Sequence, residues 1–361
     1  MDSTQARQLN TLHVLQTLRR EEHISRIDIA RSLGLSRPTI TFIINDLLHQ
    51  GIVEESHLAK STGGRPAIVL RIKDNCRYVM GVDMGSSHIT ILLCDLNGNQ
   101  TLLLDVEHEV AQDPHGTLSI VKHVLEKQHD VLQDTLLGLC FAVSSPVDQE
   151  GLLDARILPK WKGISIQDFF ADKYIPIVIE NDANAGAFAE LWWNQEVEDF
   201  IYVKLGTGIG AGIISKGSML QGSQGLAGEI GHIPLSNMEQ LCRCGQKGCL
   251  EAIIGRNAMQ SQNFDTHGHS EFVSEHLSAV LIPLVYAINP QKIIIWGDVD
   301  QFITKKLQAK IIHKTLWPSM SSIQVHISTL GKNAIALGAC SIALHHLFLQ
   351  PGLIATHTIQ H

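Results

Sequence analysis

Residues 201–214 have the sequence Ile201-Tyr-Val-Lys-Leu-Gly-Thr-Gly-Ile-Gly-Ala-Gly-Ile-Ile214, in which two apolar runs flank a turn of small residues. This pattern predicts a strand, a tight turn and a second strand. The same layout occurs at residues 78–95, where Tyr78-Val-Met-Gly-Val-Asp83 and Ile89-Thr-Ile-Leu-Leu-Cys-Asp95 flank Met-Gly-Ser-Ser. Two copies of one hairpin indicate a body built from two related lobes.

The two hairpin turns are also candidates for binding phosphate. Neither contains a Walker loop or the dinucleotide fingerprint, but turn glycines let backbone N–H groups approach an anion, and Asp83 could hold a hydrated magnesium ion. The alternative is an ordinary glycine-rich turn with no ligand. The candidate phosphate-loop residues are Asp83, Gly85, Gly206, Thr207 and Gly208.

Between the hairpins, residues 177–190 predict an apolar strand followed by a helix of small residues. Polar side chains at such a strand end commonly form α/β sites. Asp182 could accept a proton from a sugar hydroxyl as that oxygen attacks a phosphoryl group, while Asn181 holds a neighbouring hydroxyl. The alternative is that Asp182 only caps the helix.

A cluster of metal-ligating residue types follows the second hairpin. His232 and the segment Cys242-Arg-Cys-Gly-Gln-Lys-Gly-Cys-Leu-Glu251 supply one imidazole and three thiolates, the four ligands of a closed, structural zinc site. The alternative is three buried thiols beside an unrelated histidine. Zinc would fix the loop that carries Glu229 and Glu251, two carboxylates able to accept hydrogen bonds from a polyol. The predicted zinc ligands are His232, Cys242, Cys244 and Cys249.

Residues 4–48 predict three short helices. Apolar residues repeat along residues 4–20, Ser25 can cap a second helix that ends at Gly34, and Ser36 can cap a third amphipathic helix. Two helices joined through a tight turn form a helix-turn-helix, which places the start of its second helix in the major groove of DNA. The predicted groove-facing residues are Ser36, Arg37, Thr39 and Thr41.

Two predicted strands, at 52–55 and 67–72, flank Gly63-Gly-Arg-Pro66 and complete a winged helix-turn-helix. Arg65 at the glycine-rich tip could reach a phosphate or a narrow minor groove. The alternative is a three-helix packing module with a simple turn. Because few basic residues are available for phosphate contacts, tight binding would need two heads on a symmetric site, which implies a homodimer or homotetramer.

Composition and charge agree with this division. The 361 residues are enough for two or three domains, and 44% hydrophobic with 18% charged residues exclude a disordered chain. Residues 1–77 hold 11 Lys and Arg against 8 Asp and Glu (+3), and the remainder holds 17 against 28 (−11), so a polyanion would bind the head. Seven cysteines and no long apolar run predict a cytoplasmic, non-membrane protein.

The winged helix with Gly-Gly-Arg-Pro, the Asp83-x-Gly85 hairpin, residues 180–185 (Glu-Asn-Asp-Ala-Asn-Ala) and the segment 229–251 together resemble the ROK (repressor, ORF, kinase) family of transcriptional regulators. The resemblance covers essentially the whole chain and implies an α/β, actin-like (ribonuclease H-like) two-lobed sugar-kinase fold after the winged helix-turn-helix. Residues 330–338 are similar to the xylose-repressor branch. The sugar contacts implied by the family are Asn181, Asp182, Glu229, His232 and Glu251, with Asp182 the base in kinase members.

Three departures from the family argue against use of Mg-ATP. Asp298 stands where kinases have glycines for the nucleotide, His88 replaces a lysine, and Ser144-Ser145 replace Pro-Gly. A fourth departure concerns the sugar: Leu158 replaces an asparagine that contacts sugar, so the ligand need not be glucose. We therefore expect a sugar-responsive repressor of carbohydrate metabolism that binds operator DNA and a monosaccharide. The alternative is an ATP-dependent sugar kinase with a fused DNA-binding domain. The expected domains are 1–75 (winged helix-turn-helix) and 76–361 (ROK domain), with lobe one at about 76–190 plus the C-terminal helix and lobe two at about 191–335.

Overall fold

The computed structural model describes residues 3–21, 23–57, 68–132, 135–148, 151–173, 175–194, 197–262, 264–315 and 322–349. The head contains α1 (Ser3–Arg20), β1 (Ile24–Ser25), α2 (Arg26–Leu33), α3 (Arg37–His49), β2 (Val53–His57) and β3 (Ile68–Ile72). The central strand β3 pairs antiparallel with both β1 and β2. These elements confirm the predicted winged helix-turn-helix.

The helix boundaries in the head follow the predicted caps. Ser25 Oγ accepts the Asp28 N–H at 3.3 Å, and Ser36 Oγ accepts the Thr39 N–H at 3.2 Å. Gly34 ends α2 in the left-handed region at φ +63°. The predicted wing tip, residues 63–66, lies outside the described residues, and so does Arg65.

Lobe one is built on β4 (Tyr78–Met84), β5 (His88–Asp95), β6 (Gln100–Glu107), β7 (Leu136–Val143) and β8 (Ile177–Asn181), with α4 (Pro114–Lys127), α5 (His129–Leu132), α6 (Ile166–Phe169) and α7 (Asp182–Trp193). Its strand order is β6-β5-β4-β7-β8. The strands β4, β7 and β8 are parallel, and β5 and β6 extend the sheet antiparallel. Every residue of β7 is buried, as expected for a parallel strand covered on both faces.

Lobe two contains β9 (Phe200–Leu205), β10 (Ile209–Ser215), β11 (Ser218–Met219), α8 (Leu250–Ile254), α9 (Arg256–Gln260), α10 (Thr266–Ile288), β12 (Lys292–Gly297), α11 (Gln301–Lys314) and β13 (Gln324–Ile327). Its strand order, β11-β10-β9-β12-β13, repeats the antiparallel hairpin and parallel strands of lobe one. The chain then returns to lobe one as α12 (Ala334–Leu349). The repeat confirms the predicted two-lobed body, while the domain boundaries stay predictions.

Helix α7 lies between α12 and strand β10, and both contacts need glycine. A Cβ on Gly338 of α12 would lie 1.8 Å from the Ala185 carbonyl oxygen, and a Cβ on Gly212 of β10 would lie 2.4 Å from the Ala187 Cβ. The backbones therefore pack at a distance that no larger residue permits. This packing fixes α7, and with it Asp182, at the cleft between the lobes.

The stretch Gly268–Ile288 of α10 is long and apolar enough, by length and a mean hydropathy of 1.4, to cross a membrane, a property that the sequence analysis did not assign to it. Within the structure, Val273, Leu277 and Leu281 of this helix are buried in the core of lobe two. The helix thus has the contacts of a core helix, with its buried residues facing the second sheet.

Candidate functional site

The four predicted zinc ligands meet at one point. Their ligand atoms all lie within 4.8 Å of one another, although no ion is included in the structure. His232 ends a short 3-10 turn, Cys249 immediately precedes α8, and Cys242 and Cys244 lie in the loop between them. Gly248 bends this loop at φ +76°, where a Cβ would lie 2.6 Å from the Met238 carbonyl oxygen.

The distances between these atoms fit tetrahedral coordination of a metal ion. The Cys244 and Cys249 Sγ atoms are 3.7 Å apart, and Cys242 Sγ is 3.5 Å from His232 Nδ1. Zinc–ligand bonds of about 2.3 Å to sulfur and about 2.0 Å to nitrogen give tetrahedral edges of about 3.8 Å between two sulfurs and about 3.5 Å between sulfur and nitrogen. With Nδ1 towards the cysteines, His232 Nε2 lies 3.9 Å from Glu229 Oε2. One imidazole can therefore face both the cluster and the cleft.

Glu251 is held in place by the loop that carries Cys242, Cys244 and Cys249. Its carboxylate accepts two hydrogen bonds from Arg243, at 2.6 and 3.1 Å, and one from the Ile209 N–H at 3.0 Å. Arg243 stands between Cys242 and Cys244, so the cysteine loop, α8 and the second hairpin are joined at this carboxylate. The sequence analysis missed the role of Arg243, although a cation between two predicted zinc ligands was a visible signal.

Glu229 lies close to two other carboxylates. Burial, together with the negative charges of Asp182 and Glu251, raises the pKa of Glu229 to about 7. A carboxyl group with this pKa can donate as well as accept a hydrogen bond near neutral pH. The predicted group Asp182, Glu229 and Glu251 is thus gathered around one cleft.

Asp182 forms a buried ion pair that crosses between the lobes. Its Oδ2 is 2.6 Å from Lys204 Nζ, and the two residues are 4% and 8% exposed. Asp182 begins α7 of lobe one, whereas Lys204 lies on β9 of lobe two. The sequence analysis did not single out Lys204, although a lysine in an otherwise apolar strand just before the glycine turn could have identified it.

Asn181, and not Asp182, caps helix α7. Its Oδ1 accepts the Ala183 and Asn184 N–H groups at 2.9 and 3.2 Å, and its Nδ2 donates to the Ser145 carbonyl at 3.2 Å. The alternative interpretation of Asp182 as a cap is therefore wrong, because the neighbouring side chain already satisfies the first free N–H groups of the helix.

The two hairpin turns contain or adjoin internal ion pairs. His88 Nε2 is 3.1 Å from Asp83 Oδ2, beside Gly85, and this hydrogen bond raises the pKa of His88. At the other turn, Arg256 binds Asp298 with two hydrogen bonds of 2.7 and 2.8 Å, and its own N–H donates to the Gly206 carbonyl. Arg256 thus balances the charge of Asp298, a partner that the sequence analysis did not foresee.

The turn 206–208 faces lobe one. A Cβ on Gly208 would lie 3.0 Å from Arg243 Nη2, 3.4 Å from Glu251 Oε2 and 3.5 Å from Ser144 Oγ. Gly208 of the predicted phosphate loop therefore lies beside the predicted sugar-binding carboxylate of Glu251, with Ser144 of lobe one opposite.

In the head, α3 presents one polar face to solvent. Arg37 and Thr41 are exposed as predicted, and Asn45, four residues further along the same face, is exposed as well. Ser36 Oγ and Thr39 Oγ1 are 2.7 Å apart, so these two predicted contacts bond to each other at the helix start. Asn45 extends this exposed face by one turn beyond the predicted contacts.

Comparisons with known proteins agree with this architecture. Residues 79–269 match the ROK family, and residues 7–54 match a winged helix-turn-helix DNA-binding family. The chain is 26% identical to a xylose repressor of Caldicellulosiruptor bescii, over 96% of this chain and 98% of that protein. It is also 26% identical to an N-acetylglucosamine repressor of Escherichia coli O157:H7, over 94% of this chain and 96% of that one.

Two solved structures share the fold. A ROK family transcriptional regulator described as a homologue of the E. coli MLC protein superposes with a TM-score of 0.77 at 22% identity, over 97% of this chain and 98% of that one. A ROK family glucokinase from Streptomyces griseus, in complex with glucose and AMPPNP, superposes with a TM-score of 0.64 at 20% identity, over 74% of this chain and 99% of that one. The ROK match spans more than half of the chain and follows a winged helix-turn-helix, and the chain therefore belongs to the ROK family.

Proposed function

We propose that this protein is a sugar-responsive transcriptional repressor. Two or more heads bind operator DNA, and a monosaccharide bound in the body releases or modulates that binding. The observation that carries the proposal is the packing of a winged helix-turn-helix head on a body whose cleft gathers three carboxylates beside a His/Cys cluster. The names of two relatives, a xylose repressor and an N-acetylglucosamine repressor, support the same function.

In this proposal, the cleft recognises sugar hydroxyls. Asn181 Nδ2 keeps one N–H beyond its bond to Ser145, Glu229 can donate or accept, and Glu251 is oriented by Arg243. His232 faces the same space through Nε2. Carboxylates and amides held by other protein groups lose little freedom on binding a polyol, which favours selective recognition. The proposed sugar-binding residues are Asn181, Asp182, Glu229, His232 and Glu251.

Zinc is the proposed metal of the His232, Cys242, Cys244 and Cys249 cluster. Three thiolates and one imidazole are soft ligands, and the distances between them match a closed tetrahedral site. The ion would hold the cysteine loop, and through Arg243 it would hold Glu251. Its contribution is to the shape of the cleft.

The proposed DNA contacts are Ser36, Arg37, Thr39 and Thr41 on α3 and Arg65 on the wing. Since a single head offers few cations, we propose that the repressor acts as a homodimer or homotetramer in the cytoplasm, with its heads on a symmetric operator. The head and body correspond to the proposed domains 1–75 and 76–361.

A thermal-shift screen tests the proposal directly. The purified protein is heated with D-xylose, D-glucose or N-acetyl-D-glucosamine, with and without a DNA duplex that the protein itself has selected from a random library. A bound sugar raises the unfolding midpoint, and coupling of about 1 to 3 kcal/mol changes sugar affinity about 5- to 150-fold when DNA is added. Equal sugar affinity with and without the duplex would contradict the proposed mechanism.

A sugar kinase is the second candidate, favoured by the presence of Asp182 at the start of α7. Against it, Asp182 Oδ2 already accepts a hydrogen bond from Lys204 Nζ at 2.6 Å, so a sugar hydroxyl would have to compete with the lysine for this oxygen. Incubation with Mg-ATP and the same three sugars decides between them. Phosphoryl transfer that is lost in Asp182→Asn would establish the kinase and overturn the repressor-only interpretation.

A further inference from the structure

The head and lobe one share one continuous hydrophobic core. Leu12, Leu15 and Leu18 of α1 belong to the same buried cluster as Leu344 of α12 and Trp192 of α7. The head is thus seated on α12, which packs against β4 and β7 of lobe one, and on the end of α7. A change in the position of either helix would act on the head through this contact.

Arg19, in the last turn of α1, makes the polar contact at this junction. Its Nη2 donates to the Trp192 carbonyl at 2.8 Å, and its guanidinium lies over the rings of Trp192 and Trp193, 5.0 and 4.4 Å from their centroids. Burial lowers the pKa of Arg19 to about 10, so the side chain stays charged at neutral pH. A cation bonded to a carbonyl in the last turn of α7 also faces the negative end of that helix.

The other end of α7 lies in the sugar cleft. The helix begins at Asp182, which is paired with Lys204, and its first N–H groups are capped by Asn181. Twelve residues at 1.5 Å each give a rod of about 18 Å that joins the proposed sugar site to Arg19.

Helix α7 is held too tightly to absorb a displacement at one end. Its backbone touches α12 at Gly338 and its Ala187 faces Gly212 of β10, with no room for even a Cβ. Such packed interfaces shift as units instead of deforming gradually. A movement of Asp182 would therefore move Trp192 and Trp193 as well.

We infer that Arg19 is the positioning residue that couples the sugar cleft to the DNA-binding head, by holding α1 on the far end of α7. The inference rests on the proposed function and adds to it the route of communication. Sugar bound at Asp182 shifts α7, the Trp192 carbonyl and the two indole rings move, and Arg19 carries α1 with them.

Arg19→Met keeps the aliphatic stem and removes the charge and the hydrogen bond. The test measures operator affinity with and without D-xylose, D-glucose or N-acetyl-D-glucosamine, and sugar affinity with and without the duplex, so that the thermodynamic cycle closes. Wild-type coupling of about 5- to 150-fold is expected to fall below about 3-fold in Arg19→Met, with sugar affinity in the absence of DNA unchanged. Arg19→Lys keeps a cation and one donor, and partial recovery of coupling is expected.

The matched control is Arg20→Met, an exposed neighbour in the same turn, which should retain wild-type coupling. If Arg19→Met does not fold, Trp193→Leu serves instead. It removes one of the two rings that contact Arg19, and it should also reduce the coupling between sugar and operator binding. Wild-type coupling in both Arg19→Met and Trp193→Leu overturns the inference while the proposed function stands. Equal effects of Arg19→Met and Arg19→Lys would mean that Arg19 acts only through packing, and would also overturn the inference.

A second measurement requires no sugar. Hydrogen exchange of the Ala183 and Asn184 N–H groups, at the start of α7, is compared with and without the selected duplex. Wild type should change its exchange at these groups when DNA binds the head, and Arg19→Met should not. An identical response in the two proteins contradicts the inference. Absence of coupling in the wild type itself contradicts the proposed function instead.

Discussion

The two sides of the cleft differ in how their charged groups are used. On the carboxylate side (Asp182, Glu229 and Glu251), the three carboxylates lie close together, and Arg243 of the cysteine loop holds Glu251. The hairpin side comprises the turns at 84–87 and 206–208. There His88 is hydrogen-bonded to Asp83, and Arg256 forms an ion pair with Asp298 beside Gly206. A phosphate would have to compete with these pairs. The difference teaches that one fold can gather several carboxylates at one place and neutralise single charges at the neighbouring turns.

Loss of the metal is the largest expected change on the carboxylate side. Cys244→Ser removes one of four ligands, so we expect zinc content to fall from about one ion per chain towards none and the sugar response to be lost with it. Elemental analysis and the thermal-shift screen measure both. Cys76→Ser, a buried cysteine of the head–body junction outside the cluster, is the control and should retain zinc. A zinc-free protein with an intact sugar response would show that the carboxylate side does not depend on the metal.

The Asp182–Lys204 pair joins the two sides, because Lys204 lies on β9 just before the turn 206–208. Lys204→Met leaves a buried carboxylate without its cation, and we expect the free energy of unfolding to fall by about 3 to 5 kcal/mol in urea titration. The double variant Lys204→Met/Asp182→Leu should recover most of that loss, because the remaining charge is gone. A loss below about 1 kcal/mol in the single variant would show that the pair is solvated.

Two bidentate Arg–carboxylate pairs, one on each side, sharpen the comparison further. Glu251→Gln disrupts a pair whose carboxylate is 7% exposed, whereas Asp298→Asn disrupts one that is 43% exposed. We expect losses of about 2 kcal/mol for Glu251→Gln and below about 1 kcal/mol for Asp298→Asn in the free energy of unfolding. Equal losses would mean that burial does not separate the two sides.

The smallest expected effect is the pH response of the hairpin side. The bond to Asp83 raises the pKa of His88 above its ordinary value of 6.5, so the pair contributes stability below that pH and loses it as pH rises through the folded pKa. Because the His88 side chain is 39% exposed, we expect less than about 1 kcal/mol. Between pH 6 and 8, the free energy of unfolding should change less with pH for His88→Gln than for wild type. An equal pH dependence in the two proteins would show that the bond between His88 and Asp83 does not contribute to the pH dependence of stability.

Local patterns were sufficient for much of the molecule. The caps at Ser25 and Ser36, the two hairpins and the four clustered ligands were all predicted, because each depends on residues within a few positions or within one loop. The partners Lys204, Arg243 and Arg256 were missed. Their significance depends on which carboxylate lies opposite, and in two of the three cases that carboxylate is more than 20 residues away in the chain.

The sequence alone determined the winged head, the repeated hairpin lobes and the residues of the His/Cys cluster, because hydrophobic periodicity, turn glycines and the spacing of His and Cys residues act over short stretches of chain. Only the tertiary structure decided that Asn181 caps α7, that Asp182 is paired with a lysine of the other lobe, and that Arg19 bonds the far end of the same helix. These contacts join segments that are distant in sequence, and their geometry follows from how α7 packs between the lobes and the head.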